Sequence, residues 1–371
     1  MKEIGQLTVK YGDRVIGTLA ETKNGMGAFQ YSKEWLLDGF SISPFSLPLE
    51  ERVFIPKIDV FEGVFGVFAD SLPDGWGRLL VDRMLLSKHI LPEEVSAIDR
   101  LGIVGSTGMG ALEYYPELFG MKQQQVLDFD MLALECEKIL KEEDSKDLDK
   151  LFQLGGSSGG ARPKVLVMLD GESWLVKFPS TYDKKDIGEE EYRYMQCAEK
   201  CGISVPKVKL FSSKTCKGFF GAKRFDRLKD KKVHMVTVSG LLETSHRIPN
   251  LDYHDLMKLT YILTKDSSQM EEMYRRMCFN VFSHNRDDHS KNFSFLYDEN
   301  EQCWKLTPAY DLTYSNSIGG EHATCINGKG KNPDIEDLLA VGKPIGLSEK
   351  KLRNITIEIK EIIEDADILH R

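Results

Sequence analysis

A glycine-rich stretch that leads directly into a predicted β-hairpin restricts how this chain can fold. Gly155–Gly160 reads GGSSGG and is followed by the apolar run VLVML, a turn at Asp170-Gly171 and a second apolar run, WLVKFP. Alternation and turn chemistry predict two antiparallel strands. A helix-opening phosphate loop ends in Gly-Lys-Ser/Thr and precedes a helix, and neither feature is present. The glycines therefore predict either a phosphate-covering loop of another type or a plain flexible turn.

The order of the predicted elements indicates an α+β protein with more than one structural unit. The chain has 371 residues, more than one compact domain usually contains. We predict a β-rich N-terminal subdomain over residues 1–116, a mostly β lobe with the glycine-rich loop over residues 117–240, and a mostly helical lobe over residues 241–371.

Four shorter segments carry specific expectations. Residues 60–70, VFEGVFGVFAD, are aromatic and β-prone, which predicts a strand. Residues 142–150, EEDSKDLDK, are predicted to form a solvated linker, and residues 233–239, VHMVTVS, a further strand. Ser348 is predicted to cap the N-terminus of a long amphipathic helix.

Charge and cysteine content argue against several classes of protein. The net charge of −9 disfavours direct contact with a nucleic-acid backbone, although it suits a basic protein partner. No apolar run approaches the roughly 20 residues needed to cross a bilayer, and the first residues lack the apolar core of a secretory signal. The seven cysteines are scattered and odd in number, which favours reduced thiols in a cytoplasmic protein.

Lys177 lies in the second predicted strand of the hairpin, within the apolar stretch WLVKF. A lysine in such a strand must reach solvent or find a partner. The following predicted helix supplies the carboxylates of Glu189, Glu190 and Glu191. A strand lysine paired with a helix glutamate, after a glycine-rich loop, holds the ATP phosphates in protein kinases. The alternative is an edge-strand lysine that faces water.

The stretch 283–298, SHNRDDHSKNFSFLYD, crowds ligating groups against a predicted strand. Asp287 and Asn292 have the five-residue spacing of a kinase catalytic Asp and a magnesium-binding Asn. Lys291 is placed to steady a transferring phosphoryl group, and Asp311 follows another short strand, where a second metal-binding Asp is required. Glycine-rich loop, strand Lys, helix Glu, loop Asp and Asn, and final Asp therefore occur in the order that phosphoryl transfer needs.

The same stretch also permits a metal hydrolase. His284, Asp287, Asp288 and His289 could together hold a metal that activates water. No second cluster of comparable density occurs, and the glycine-rich loop and Lys177 would then have no role. We expect His289 to hydrogen-bond the backbone and shape the loop, and Asp288 to be a solvated loop residue.

These motifs resemble those of HipA-type toxin kinases of bacterial toxin–antitoxin systems. The matching stretches are GGSSGGARPK (155–164), LVKFP (175–179), EEEYRYMQCAEKCGISVP (189–206), AKRFDR (222–227), HNRDDHSKNFSF (284–295) and LTPAYDL (306–312). FADSLPDGWGRLLVDRML (68–85) and the strands before it resemble the N-terminal subdomain of that family. The resemblance covers nearly the whole chain, and its independent motifs fall in order.

The resemblance implies a protein serine/threonine kinase that uses ATP and magnesium. It implies a two-lobed core, with a β-rich N-lobe and a helical C-lobe, and an added N-terminal subdomain. Asp287 would be the catalytic base, assisted by Lys291, and Asn292 and Asp311 would bind magnesium. The implied ATP-binding residues are Gly155, Gly156, Ser157, Ser158, Gly159, Gly160, Lys164, Lys177, Glu191, Lys223 and Phe225.

Within that set, Glu191 would pair with Lys177, and Lys223 to Phe225 would lie where the lobes join and the adenine docks. The resemblance implies autophosphorylation of a loop serine, Ser157 with Ser158 as the alternative, which would repel ATP, eject the loop and switch the kinase off.

The resemblance also implies partners. Family members usually pair with a small helix-turn-helix antitoxin of the HipB type, which carries the contact with operator DNA, so DNA would be bound only indirectly. Relatives act on translation enzymes such as aminoacyl-tRNA synthetases to arrest growth, which indicates a protein substrate of that class. A non-catalytic, nucleotide-binding subunit of a repressor complex is the alternative function, beside the metal hydrolase.

Overall fold

The computed structural model describes residues 4–120, 128–143, 145–229 and 231–369. The chain forms two compact units, one of Met1–Gly188 with Leu210–Thr244 and one of Glu189–Lys209 with Ser245–Arg371. The predicted three-part division at residues 116 and 240 stays a prediction. Within the described ranges, no helix combines the length and apolarity that a membrane crossing needs.

The strands within the described residues are β1 Gln6–Tyr11, β2 Arg14–Glu21, β3 Gly27–Tyr31, β4 Val53–Phe54, β5 Leu112–Tyr115, β6 Lys164–Leu169, β7 Glu172–Lys177, β8 Val208–Phe211, β9 Phe219–Lys223, β10 Arg227–Leu228, β11 Lys231–Lys232, β12 Met235–Thr237, β13 Leu251–Asp252, β14 Ser294–Asp298, β15 Cys303–Leu306 and β16 Thr324–Cys325. The α-helices are α1 Lys33–Asp38, α2 Gly66–Ala69, α3 Trp76–Ser87, α4 Ala97–Val104, α5 Phe129–Leu140, α6 Leu148–Gly155, α7 Ile187–Lys200, α8 Val238–Leu241, α9 Tyr253–Thr264, α10 Ser267–Phe282, α11 Ile335–Gly342 and α12 Glu349–Ala366.

The first unit contains a five-stranded sheet in the order β4-β3-β2-β1-β5. Strands β1 and β2 form an antiparallel hairpin in which Leu7 lies opposite Leu19, and β5 pairs with the other edge of β1. Leu7, Leu19 and Phe29 are fully buried, because alternate residues of neighbouring strands point to one face.

A second sheet, in the order β6-β7-β9-β8, carries the glycine-rich loop at its start. The predicted hairpin is confirmed, because β6 and β7 pair antiparallel from Lys164 opposite Lys177 to Leu169 opposite Glu172. The core joins this sheet to helices α3, α5 and α6, through the buried residues Trp76, Leu80, Leu132, Cys136, Ile139, Leu151, Leu154, Val165, Val167, Trp174, Val176, Phe178 and Phe219. Part of the N-terminal segment therefore packs directly onto the loop-bearing sheet.

The second unit is mainly helical. Helices α9, α10, α11 and α12 pack on one another, and the Tyr274 hydroxyl on α10 lies 2.7 Å from Thr356 Oγ1 on α12. The antiparallel hairpin β14–β15 confirms the strand predicted after Asn292. Ser348 caps α12 as predicted, since its hydroxyl accepts from the Lys351 N–H.

Three sequence predictions of local structure need correction. Residues 60–70 contain no strand; residues 66–69 form the short buried helix α2, because a Cβ at Gly66 would lie 2.5 Å from the Gly240 carbonyl oxygen and two backbones meet there. The segment 142–150 is a linker only in part, since α6 begins at Leu148 and turns apolar residues inward; Asp144 lies outside the described residues. The strand predicted over 233–239 ends at Thr237, whose hydroxyl caps α8 by accepting from the Gly240 N–H.

Candidate active site

The glycine-rich loop follows α6, so that Gly155 is the last helical residue and Gly156 its C-cap. Both loop serines are buried, with exposed fractions of 5% for Ser157 and 1% for Ser158. The Ser157 hydroxyl donates to the Thr107 carbonyl at 3.0 Å, and the Ser158 hydroxyl donates to the Gly155 carbonyl at 2.6 Å. These hydrogen bonds hold both serine side chains in place, and the predicted cover of this loop over a phosphate stays a prediction.

Lys164 closes the loop from the strand side. It is the first residue of β6, and its buried ammonium donates to the Gly159 carbonyl at 2.5 Å. Gly160 has φ +83°, a left-handed conformation that favours glycine. A charge buried next to the loop backbone fixes the path of the loop, and its predicted contact with ATP stays a prediction.

Lys177 ends β7, which lies between β6 and β9 and is therefore not an edge strand. The edge-strand alternative is wrong for that reason. Its ammonium lies 5.6 Å from the centre of the Phe220 ring, and it is half-buried. Glu191 is buried on α7, but the two residues belong to different units, so their predicted ion pair stays a prediction.

Lys223 and Phe225 flank a buried charge network that sequence reasoning missed. Lys223 at the end of β9 donates to Glu172 on β7 at 2.6 Å, and Phe225 is half-buried. Arg224 lies between these two residues and Arg227 lies just after them, and both arginines bind the carboxylate of Asp226. Burial alone would raise the pKa of Asp226, but the two guanidinium charges outweigh burial and lower the pKa to about 2.

The same arginines hold a second glycine-containing loop, 105–110. The Gly110 N–H donates to Asp226 at 2.8 Å, and Arg227 donates to the Gly108 carbonyl at 2.8 Å. The motif AKRFDR contained the signal, because two arginines around one aspartate, next to the apolar run GFFGA, must be paired if they are buried.

In the second unit, the segment 283–298 runs from the end of α10 through a short 3₁₀ turn, Ser290–Asn292, into β14. The Asn292 side-chain amide donates to the Asp287 carbonyl at 2.7 Å. This bond brings the two predicted catalytic residues together and leaves Asn292 Oδ1 as an oxygen donor for a cation.

Asp287 has the environment of a proton acceptor. Although 63% of its side chain is accessible, partial desolvation raises its pKa above the usual range. His289 lowers the pKa, and the nearby carboxylates of Asp311 and Asp288 raise it. A carboxylate with a raised pKa is better matched to proton transfer near neutral pH.

Asp288 is fully buried, so the prediction of a solvated loop residue is wrong. Its carboxylate accepts from the Tyr253 hydroxyl, His322 Nδ1 and the Ala323 N–H, each at 2.9 Å. Its carbonyl accepts from the Thr324 hydroxyl at 2.6 Å. These bonds occupy both carboxylate oxygens, so Asp288 anchors the loop and does not offer the open metal ligand that the hydrolase alternative requires.

His289 also differs from expectation. Its Nδ1 is buried without a hydrogen-bond partner among the described residues, so the predicted backbone hydrogen bond is wrong. Its Nε2 lies 3.9 Å from Asp287 Oδ1, and its ring centre lies 5.2 Å from that of His246. The ring therefore stands beside the Asp287 carboxylate, the predicted catalytic base.

Lys291 and Asp311 complete the predicted set. The Lys291 carbonyl accepts from the Tyr310 hydroxyl at 2.7 Å, and that hydroxyl also contacts the hydroxyl of Ser294. These contacts tie the residue before Asp311 to the catalytic loop. Asp311 itself has φ +52°, an unusual conformation for a residue with a side chain and one enriched at functional sites.

The donor set of this region fits a hard cation bound together with phosphate. Asn292 offers an amide oxygen, Asp311 a carboxylate, and magnesium prefers such oxygen ligands and usually keeps sites open for phosphate. Among the residues that the structure describes, no group of three or more His, Cys, Asp or Glu side chains is arranged as a complete metal site.

Comparison with known protein families matches both parts of the chain. The HipA N-terminal domain matches residues 7–115, and the HipA-like C-terminal domain matches residues 156–366, which is more than half of the chain. The second range contains both the glycine-rich loop and the catalytic loop.

Individual relatives are more distant. In Sinorhizobium fredii (strain NBRC 101917 / NGR234), the protein named "Putative kinase Y4dM" is 29% identical over 172 residues, which cover 42% of this chain and 41% of that protein. The protein named "Putative kinase Y4mE" is 27% identical over 346 residues, 82% of this chain and 76% of that protein. The match thus spans less than half of the first relative.

A solved structure shows the same fold. HipA of Shewanella oneidensis MR-1, in a complex with HipB and operator DNA, superposes with a TM-score of 0.73 at 20% identity, over 97% of this chain and 89% of that one. The α+β, kinase-like fold is confirmed by this likeness, and the two family matches show that the chain belongs to the HipA family.

Proposed function

We propose that this chain is an ATP- and magnesium-dependent protein serine/threonine kinase of the HipA toxin type. The observation that carries the proposal is the pairing of Asp287, with its raised pKa, and Asn292, joined by a hydrogen bond at the five-residue spacing of a kinase catalytic loop. Two relatives carry names that begin with "Putative kinase", which supports the same class of enzyme.

Each predicted residue has a role in phosphoryl transfer. Asp287 accepts the proton of the substrate hydroxyl while the hydroxyl oxygen forms a bond to the γ-phosphorus and the bond to the ADP oxygen breaks. Lys291 steadies the transferring group, and Lys177 binds the α and β phosphates with Glu191 as its partner. Asn292 and Asp311 would hold magnesium, which would supply positive charge to neutralise the phosphates.

The glycine-rich loop, with Lys164, covers the phosphates, and Lys223 and Phe225 border the adenine. The chain inactivates itself by phosphorylating Ser157, or Ser158 as the alternative. A phosphate carries about −1.5 to −2 charges at neutral pH, so it would repel ATP from this loop. The burial of both hydroxyls supports a loop whose serines react only after it moves.

Partners follow from the family and are part of the proposal. The HipA relative of S. oneidensis is seen with HipB and operator DNA. We propose a helix-turn-helix antitoxin of that type as a partner here, with DNA contacted through it, since the charge of −9 suits a basic protein. The protein substrate is a cellular protein of the translation-enzyme class, and its phosphorylation arrests growth in the cytoplasm.

Incubation of the purified chain with magnesium and ATP, followed by mapping of phosphate by mass spectrometry, tests this function. We expect phosphate on one loop serine in the parent and its loss in Ser157→Ala, with Ser158→Ala retaining it. Phosphate retained in Ser157→Ala and lost in Ser158→Ala would identify Ser158 as the phosphorylated residue. Binding of ATP without phosphate in any variant would favour the non-catalytic repressor subunit.

A further inference from the structure

A segment distant in sequence grips the glycine-rich loop. The Trp76 N–H donates to the Gly160 carbonyl at 2.8 Å, and the Asp74 N–H reaches the Ser158 carbonyl at 3.4 Å. The Trp76 indole donates to the Lys164 carbonyl at 3.0 Å. Residues 74–77, here termed the dock segment, thus contact the middle of the loop, its end and the strand that follows.

Two glycines make this approach possible. A Cβ at Gly77 would lie 2.1 Å from the Ser158 carbonyl oxygen, and a Cβ at Gly75 would lie 2.4 Å from the Gly160 carbonyl oxygen. Gly77 lies in the first turn of α3, where glycine is a poor helix former. The loop backbone that lies against position 77 therefore explains why this residue is a glycine.

The side chains of both loop serines are also buried in the docked loop. Ser157 donates to the Thr107 carbonyl, and both serines are at least 95% buried. Loop 105–110, which contains Thr107, is itself held by Arg227 and Asp226. A buried hydroxyl cannot meet the γ-phosphate of ATP, so the loop must move before either serine is phosphorylated.

We propose that the dock segment is a positioning element for the glycine-rich loop and that its hold on the loop sets how fast the loop serines become available for phosphorylation. The first half stands on the contacts alone, and the second half rests on the proposed kinase activity. When the loop is released, the serine Oγ–P bond forms as the bond between the γ-phosphorus and ADP breaks, and the hydroxyl proton passes to Asp287.

Hydrogen exchange of the full chain without nucleotide tests the dock. Gly77→Ala should speed exchange of the loop peptide 155–161 by about tenfold or more, because the added methyl group must push the loop away. Gly17→Ala is the matched control. Its Cβ would lie 2.2 Å from the Gln30 carbonyl oxygen, an equal clash in the five-stranded sheet of the same unit.

Two outcomes would overturn the dock. In one, hydrogen exchange of the loop peptide is unchanged in Gly77→Ala; in the other, it is equally fast in Gly77→Ala and Gly17→Ala. If Gly77→Ala does not fold, Trp76→Phe decides instead, since it removes the indole bond to Lys164 and keeps an aromatic ring in the core. Faster hydrogen exchange of the loop peptide in Trp76→Phe than in the parent then supports the dock, and an unchanged exchange rate overturns it.

A second readout separates the dock from the kinase activity. With magnesium and ATP, we expect Gly77→Ala to gain phosphate on a loop serine several times faster than the parent, an increase that mere loss of structure would not produce. Faster exchange with no phosphate in either protein would leave the dock standing and refute the proposed kinase. Faster exchange with an unchanged phosphorylation rate would overturn the regulatory half.

Discussion

Asp287 and Asp288 are neighbours in sequence with opposite environments. The first is largely accessible, and its pKa is raised, whereas the second is fully buried and accepts hydrogen bonds from four residues of the same unit. A buried anion so well satisfied fixes the loop in space, which in turn orients the exposed carboxylate beside it.

Removing the buried charge of Asp288 should therefore lower the stability of the second unit more than it lowers the catalytic activity. Asp288→Asn replaces an acceptor by an amide that faces the Ala323 N–H or the Tyr253 hydroxyl with the wrong polarity. We expect the free energy of unfolding of the second unit to fall by roughly 2–4 kcal/mol. Chemical denaturation measures this, with Asp365→Asn on the exposed face of α12 as the control. Equal stability of the two variants would contradict the anchoring role.

Sequence patterns predicted candidate catalytic and metal-binding positions but not the burial of their neighbours. Asp287, Asn292 and Asp311 follow from spacing and order, which the chemistry itself imposes. The burial of Asp288 depends on Tyr253, His322 and Thr324, which lie 34 to 36 positions from Asp288 in the sequence. Only the folded chain brings them together, so no local pattern could reveal that Asp288 is structural.

Among the elements, hairpins and long amphipathic helices were predictable, and short buried segments were not. The β6–β7 hairpin and α12 carry their own turn and cap signals. Residues 60–70 looked like a strand because they are aromatic, yet a close backbone approach between Gly66 and Gly240 decides their structure. Such an approach is a long-range contact that β propensity does not contain.

The N-cap of α12 contributes measurably to the free energy of unfolding of the second unit. Ser348→Ala removes the acceptor for the Lys351 N–H, so we expect the second unit to lose about 1 kcal/mol of unfolding free energy. Denaturant unfolding monitored at α12 checks this. Ser204→Ala, at an exposed position of the same unit outside any helix, is the control and should change stability by only a few tenths of a kcal/mol.

A buried histidine makes the first unit sensitive to acid. The His234 Nε2–H donates to the Ile42 carbonyl oxygen at 2.8 Å, and burial lowers the pKa of His234 from 6.5 to about 4. The unfolded chain binds a proton below pH 6.5 and the folded chain does not. Stability from this group is therefore complete above pH 6.5 and lost as the pH falls toward 4, by up to about 3 kcal/mol.

Hydrogen exchange of β1 and β2 amides between pH 6.5 and pH 4, corrected for intrinsic exchange, measures this loss. His234→Gln keeps a side-chain donor for Ile42 but does not titrate, so its stability should change less over the same interval. A parallel pH dependence in the parent and the variant would show that other groups cause it.

The chain as a unit of function combines two parts that sequence analysis treated as separate. The HipA N-terminal domain match ends at residue 115, yet its residues 74–77 and 107 contact the glycine-rich loop of the C-terminal match. The N-terminal part is therefore built into the candidate active site. Its motif SLPDGWG was visible in the sequence, but its contact with a loop about 80 residues later was not.

The role of Asp287 is the central claim, and one comparison tests it most directly. ATP binding and phosphate incorporation would be measured side by side on the parent and on Asp287→Asn, with magnesium present. We predict equal ATP affinity and a loss of incorporation of about 10²–10⁴-fold in the variant, since general base catalysis contributes that much. Phosphate incorporation at the parental rate by Asp287→Asn would contradict the account.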